Sequence, residues 1–306
     1  MGCFFHFFLD IGDLMTEAID LGELVERFGD DQQCRNYLER LRWPKRICCP
    51  KCGSQRISSI LKRDQYNCDN ESCRYHFSVL AGTIFHDTHL ALTKWFLAVY
   101  LICQSTKGIS AGQLKRMLRI HYRTAWYLCH RIRHAMAEVI PLEKLDGTVE
   151  VDETYVSGKK IGWGVYAGKE AKEVVIGIRQ RGGGLRFFRA EDAKSGTLAK
   201  YIKENVSGNV DVIMTEVPNS KHKTVAHRAR VYVDGDIHTN TEESAFSLLK
   251  RGMGTWHQIS AKHLPAYLNE MTWRLNNRKN PFLFRDTMLK LIHSDNLEYK
   301  ELIKGV

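Results

Sequence analysis

Thr148-Val-Glu-Val-Asp-Glu-Thr-Tyr-Val156 alternates apolar and polar residues and is rich in β-branched side chains, the pattern of a β-strand. A period of two puts Val149, Val151 and Glu153 on one face and Glu150, Asp152 and Thr154 on the other. Downstream, Glu173–Arg181 and Leu185–Ala190 read as two more strands joined by the turn Gly182-Gly-Gly184. Ser195–Val206 has helical spacing, and Val210–Thr215 is again strand-like.

Three strands, a helix and a fourth strand ending near an acid is the order of an RNase H-like α/β domain. In that order Asp152, on the first strand, would lie beside the acid that closes the fourth. Two adjacent carboxylates are what a pair of Mg²⁺ ions ~3.5–4 Å apart requires for in-line phosphoryl transfer.

Upstream the chain changes character. The protein has 306 residues, with 45 Lys and Arg against 35 Asp and Glu, a formal charge of +10. The surplus sits in the middle: residues 1–41 carry a net −6, residues 42–140 a net +11, and the remainder +5. A basic block of this kind points to a phosphate backbone as partner, although a solvated basic face has the same composition. An apolar content of 43% excludes a disordered chain, and no apolar run approaches the ~20 residues of a membrane span. The opening Met1-Gly-Cys-Phe-Phe-His-Phe-Phe8 has no basic segment and no cleavage site, so it is a poor signal peptide. A cytoplasmic, nucleoid-associated protein is expected.

Five of the nine cysteines fall between Cys48 and Cys73. Cys49-Pro-Lys-Cys52-Gly is a knuckle, and Cys68 and Cys73 complete a C-x2-C-x15-C-x4-C array suited to four-thiolate zinc. Ile57–Ile60 and Asp64–Tyr66 would be the ribbon's strands. So small a module cannot bury enough apolar area to fold alone, so the metal supplies folding energy. Cys48 is a neighbour of unassigned role, and His76 could replace a ligand if the wide second knuckle shifts. Cys34, Cys103 and Cys129 lie in helical patterns and read as core thiols.

From Leu90 to Ala137 the apolar period is helical. Ser110 caps a helix running to Leu118, a break follows at Arg119–Tyr122, and Thr124–Arg133 forms a second helix. Two helices across a tight break offer DNA a helix-turn-helix, with Arg123, Arg131 and Arg133 as contacts; an ordinary helical hairpin with surface arginines is the alternative.

Several blocks, in order, resemble the insertion-sequence transposases of the bacterial ISXO-two-like group, distantly related to the Merlin elements. They are Arg42-Trp-Pro with Cys49-Pro-Lys-Cys52; Phe77-Ser-Val with Gly82-Thr-Ile-Phe85; Thr124-Ala-Trp126 with His130-Arg-Ile-Arg133; Val151-Asp-Glu-Thr-Tyr155; His238-Thr-Asn240; Glu243 through Lys250-Arg; and Arg274 through Arg278. The resemblance implies DNA cleavage and strand transfer at a DDE-like site with Mg²⁺ or Mn²⁺, double-stranded DNA as partner, and at least a homodimer to pair two ends. By position it makes Asp152 the first metal-binding acid, Glu243 the acid on a later helix, Asn240 a member of the same signature, and Lys250 a phosphate contact. A surface salt bridge is the alternative for Lys250.

Relatives carry Thr-Asp at the end of the fourth strand, where this chain has Thr215-Glu216 and runs almost at once into Lys221-His222-Lys223. An internal deletion near 217–221 is expected, with Glu216 as the remaining acid. The turn Gly252-Met-Gly254-Thr-Trp256 looks about one residue short. The expected organisation is α+β and multi-domain: a helical cap over 1–41, a zinc ribbon over 42–80, a helix-turn-helix-like segment over 81–142, and an RNase H-like catalytic domain over 143–306. The alternative function is a catalytically decayed transposase that acts as a zinc-dependent DNA-binding protein.

Overall fold

The computed structural model describes residues 18–137, 143–156, 172–208, 210–215, 222–223, 240–257 and 259–304. They gather into two compact units. The first takes the chain to Gln104, then Ala111–Met136 and Asn280–Lys304; the second takes Ser105–Ser110 and the described part of 137–279. The catalytic domain expected to run to residue 306 therefore gives up its last segment to the N-terminal unit. Among the described residues no helix is long and apolar enough to cross a membrane.

The first unit begins with α1 (Leu21–Arg27) and α2 (Asp31–Arg42). Each opens on a reciprocal capping box, Asp20 with Glu23 and Asp30 with Gln33, which satisfies two otherwise orphaned amides per helix. A three-stranded antiparallel sheet follows: β1 (Ile57–Ile60), β2 (Gln65–Cys68) and β3 (His76–Phe77). Then come α3 (Leu92–Gln104), α4 (Ala111–Leu118) and α5 (Tyr122–Met136), with Arg119 in the left-handed region (φ 51°) making the tight break before α5.

Much later in the sequence, α9 (Leu283–His293) packs against α2, α3 and α5. Phe284 comes within 6.0 Å of Phe96 and 6.2 Å of Phe28, ring centre to ring centre, and Phe28 also packs on Tyr37 at 4.9 Å. These rings and Trp95 are out of solvent, and burial pushes the Tyr37 hydroxyl above its ordinary pKa. The short α10 (Tyr299–Ile303) ends the unit.

The second unit is a five-stranded mixed sheet between two helical layers. Its strands are β4 (Thr148–Val156), β5 (Glu173–Gln180), β6 (Leu185–Ala190), β7 (Val212–Met214) and β8 (His222–Lys223), in the order β6-β5-β4-β7-β8. β4 pairs antiparallel with β5 and parallel with β7; β7 pairs parallel with β8. The helices are α6 (Ser195–Asn205), α7 (Asn240–Trp256) and α8 (Leu264–Asn276).

On one face Val149, Val151, Ile176 and Ile178 pack with Leu198 and Ile202 of α6. On the other Val156, Val175 and Phe187 pack with Phe246 and Leu249 of α7 and Met271 of α8. Because both faces of β4 are covered, alternation in its sequence does not mean one wet face: Glu150 and Thr154 are buried beside Val149 and Val151. The stretch Gly252–Trp256, expected as a turn, is the last turn and a half of α7. Gly252 leaves room there for the Met271 side chain of α8, whose methyl would stand 2.8 Å from a Cβ.

Candidate functional sites: a four-thiolate cluster and an acid-bearing sheet

The cysteine module folds as a knuckle pair on the small sheet. Cys49 N donates to Ser54 O (2.9 Å) and Gly53 N to Cys49 O (2.8 Å), with Gly53 at φ 72°, so the first knuckle turns back under its own sulfurs. In the wider second knuckle the Asn70 side chain accepts from the Ser72 amide, and Cys73 N and Arg74 N both donate to Asn70 O. The extra two residues are thus taken up in a tight local turn, and the knuckle does not shift to recruit His76.

The sulfurs of Cys49, Cys52, Cys68 and Cys73 all lie within 4.8 Å of one another. The Cys49–Cys73 and Cys52–Cys68 separations are 3.8 and 3.6 Å. A tetrahedron with Zn–S bonds of about 2.3 Å has edges of about 3.8 Å, so the four thiols fit a structural zinc ion. The Ser54 amide helps draw the Cys52 thiol down to about 7, whereas burial pushes Cys68 up to about 12. Trp43, Tyr66 and Phe77 close over the cluster, and Arg42 donates to the carbonyls of Val79 (2.5 Å) and Ala81 (2.8 Å), tying the module to the end of α2. Cys48 and His76 are not members of the cluster. Cys34, Cys103 and Cys129 are buried, in keeping with core thiols.

Of the three arginines expected to meet DNA, Arg123 is exposed, its guanidinium 4.3 Å above the Tyr299 ring. Arg131 and Arg133 are corrections. They are 4% and 1% exposed, because α5 is enclosed on most sides by α3, α4 and α9, and neither projects from the surface. Arg131 Nη2 donates to His86 O (2.9 Å) and Asn296 Oδ1 (3.1 Å), and its Cζ lies 5.0 Å from the centre of the Trp95 ring and 5.2 Å from that of Tyr127.

In the sheet unit Asp152 is half-buried at the middle of β4, its Oδ1 accepting from the Glu153 amide at 2.9 Å. Its partner on β5 is Gly177, and its face of the sheet is the one that α7 covers. Asn240 and Glu243 fall in the first turn of α7, the side chains of both outside the described set; Lys250 is exposed two turns further along the same helix. Glu216 and the expected deletion at 217–221 lie outside the described residues. Sequence reasoning missed Glu150, which is fully buried and accepts from Arg181 Nε at 2.6 Å; Arg181 Nη2 also reaches the Met214 sulfur at 3.0 Å. An acid two residues before Asp152, hence on the same face, was the available signal.

Comparison with known proteins finds a match for each part of the chain. Residues 29–76 match the transposase zinc-ribbon domain and residues 144–276 the ISXO2-like transposase domain, together more than half of the chain. An uncharacterised protein in transposable element ISH50 of Halobacterium salinarum is 29% identical over 286 residues, covering 84% of this chain and 95% of its own. Those matches place a transposase zinc-ribbon domain over the four-thiolate cluster and an ISXO2-like transposase domain over the five-stranded sheet: the chain carries both domains of an ISXO2-like transposase, which imply DNA as its partner.

Proposed function

We propose that the second unit is an RNase H-like nuclease that cuts DNA at the ends of an insertion sequence and joins the freed ends to a target. The observation that carries this reading is the sheet, whose strands stand in the order third-second-first-fourth-fifth, with Asp152 on the central first strand beneath the helix that bears Glu243. β4 pairs in parallel with β7, 148 with 212 through 150 with 214, and in the sequence each of these runs is followed two residues later by an acid, Asp152 and Glu216. We read these two acids as metal-holding, with Glu243 as the third.

Bound Mg²⁺ or Mn²⁺ would polarise the scissile phosphate and stabilise the attacking and leaving oxygens. The chain's own part is placement: the acids hold the ions in register with the DNA, Asn240 stands in the same first turn as Glu243, and Lys250 meets a phosphate from the exposed side of α7. Water attacks the phosphodiester, leaving a 3′-hydroxyl and a 5′-phosphate; the hydroxyl then attacks a target phosphodiester and displaces its 3′ oxygen. A homodimer or larger assembly would bring two ends together.

One observation favours a second reading, a copy that binds DNA but cuts weakly. Parallel neighbours are usually joined by a crossover of a dozen or more residues, whereas seven, 215–221, separate β7 from β8. So short a link fits the loss of a helix after β7. The test is nicking, with Mg²⁺ or Mn²⁺, of a plasmid that carries the gene's own flanking DNA, with Asp152→Ala beside it. Cutting that disappears in the variant supports the nuclease. Salt-sensitive binding without cutting supports the decayed copy.

A further inference from the structure

From Thr88 to Ala137 the chain carries no Asp or Glu, against eight Lys and Arg. Two of the eight, Arg131 and Arg133, are buried in α5. Four others crowd around the break between α4 and α5: Lys115, Arg116, Arg119 and Arg123, all exposed. Among the described residues no carboxylate forms an ion pair with any of the four. Met117 and Tyr122 stand among them, 50% and 51% exposed. Leu114, Leu118 and Ala125 fill the inward side of the same stretch, so the cations gather on its outer side. Like charges held together without counter-charges make a surface whose field an anionic partner completes.

Two details set this surface apart from an ordinary solvated basic face. Arg119 holds the left-handed backbone that ends α4, with the Ile120 amide donating back to Lys115 O at 3.2 Å. Glycine fills such a helix-ending position without steric cost, so an arginine there is kept against the backbone preference. Arg123, in turn, is held in place. Its Cζ lies 4.3 Å from the centre of the Tyr299 ring, and the Tyr127 hydroxyl donates to the Leu297 carbonyl just ahead of α10. The Tyr299 ring also stands 5.4 Å from that of Tyr127 and 6.4 Å from that of Trp126. The acids of α10, Glu298 and Glu301, are engaged in their own capping box. One face of the Arg123 guanidinium thus rests on a ring that α5 itself anchors, and its rotamer freedom is restricted before any partner arrives.

We infer that the α4–α5 elbow is the surface on which the helical unit carries duplex DNA, with Lys115, Arg116, Arg119 and Arg123 on backbone phosphates and Tyr299 positioning Arg123. The inference rests on DNA as the partner of the chain. α5 does not lie along a groove: from Leu128 to Arg133 every residue is buried, so the start of α5 and the end of α4 are what reach the duplex. Phosphate contacts of this kind set register and orientation without reading the base sequence.

The test uses the zinc-loaded full-length protein and a duplex of the gene's flanking sequence, with affinity measured across a range of salt. Arg119→Gly relieves the left-handed backbone while removing a charge, so stability and binding should move in opposite directions. It should melt higher than the wild type, bind about tenfold more weakly and lower the salt slope by about one, the signature of one lost phosphate contact. Arg123→Gln should lower affinity and slope in the same way. Tyr299→Leu keeps every charge of the elbow and should still weaken binding, with no further loss when Arg123→Gln is added, whereas Tyr299→Phe keeps the ring and the wild-type affinity. Unchanged binding in Tyr299→Leu, or additive losses in the double variant, would overturn the positioning role. Unchanged affinity and slope in Arg119→Gly and Arg123→Gln, beside a wild type that binds, would overturn the elbow as the DNA surface and leave DNA as the partner. An Arg119→Gly that melts lower would assign that side chain to the fold and overturn its part. If the wild type bound no duplex, the DNA reading itself would fail and the inference with it.

Discussion

Arg181 Nε donates to Glu150 Oε1 at 2.6 Å, and that carboxylate is shut off from solvent two residues before Asp152 on the same face of β4. The pair ties the end of β5 to β4 and, through the Met214 sulfur, to β7. Removing one partner breaks a buried charge pair, whereas replacing both with apolar groups removes the two charges together.

Arg181→Met alone should therefore destabilise the second unit by about 3 kcal/mol, the low end for a broken buried pair because the arginine is 27% exposed. The double variant Arg181→Met with Glu150→Met should recover most of that loss. Urea denaturation of the four proteins in the cycle gives the coupling; additive losses would show that the pair does not act as a unit.

The zinc module gives a second expectation. One zinc ion should be measured per chain, and stripping it with a chelator should remove the structure of residues 42–80, because the small sheet buries little besides the aromatic rings over the sulfurs. Cys68→Ser, at a fully buried ligand, should abolish zinc retention, whereas Cys48→Ser should leave the stoichiometry at one. Mass spectrometry under native conditions reads both.

Asp192 supplies a pH dependence. Its carboxylate accepts from the Thr197 hydroxyl and the Lys194 amide ahead of α6, and the hydroxyl first, then Lys194, hold it down to about 2. A depressed acid stabilises the folded state above its unfolded pKa of about 3.9, and that contribution is lost as pH falls through the folded value. The wild type should lose stability between about pH 4 and pH 2, and Asp192→Asn should flatten that limb. An NMR titration of Asp192 with a midpoint near 4 would contradict the assignment.

Gly108 sits at φ 82°, and a Cβ there would stand 2.5 Å from the Trp256 indole nitrogen, on a rigid ring. Gly108→Ala should cost about 2–4 kcal/mol, the left-handed backbone and the overlap each contributing. Gly252→Ala meets the flexible end of Met271 and should cost about 1 kcal/mol or less. Thermal melting of the two variants side by side tests the contrast.

Sequence reading did well where local chemistry decides the outcome. β6 runs Leu185–Ala190 as its spacing indicates, and β4 and β5 begin where the β-branched runs begin, because strand pattern and turn glycines are local signals. The four thiols were legible for the same reason. Arg131 and Arg133 were misplaced because nothing within α5 announces that three other helices enclose it; charge is a good guide to exposure only when a helix has an outer face. The docking of α9 with α2, α3 and α5 was equally invisible, since its amphipathic stripe would suit either unit.

That docking has a consequence for how the protein is made. The sheet unit is inserted, in sequence, between parts of the helical unit, so a ribosome must polymerise the whole sheet unit before Phe284 can close over Phe28 and Phe96. A message cut short within the sheet unit yields a chain without α9, in which Phe28 and Phe96 lack the ring that covers them from the far end of the sequence.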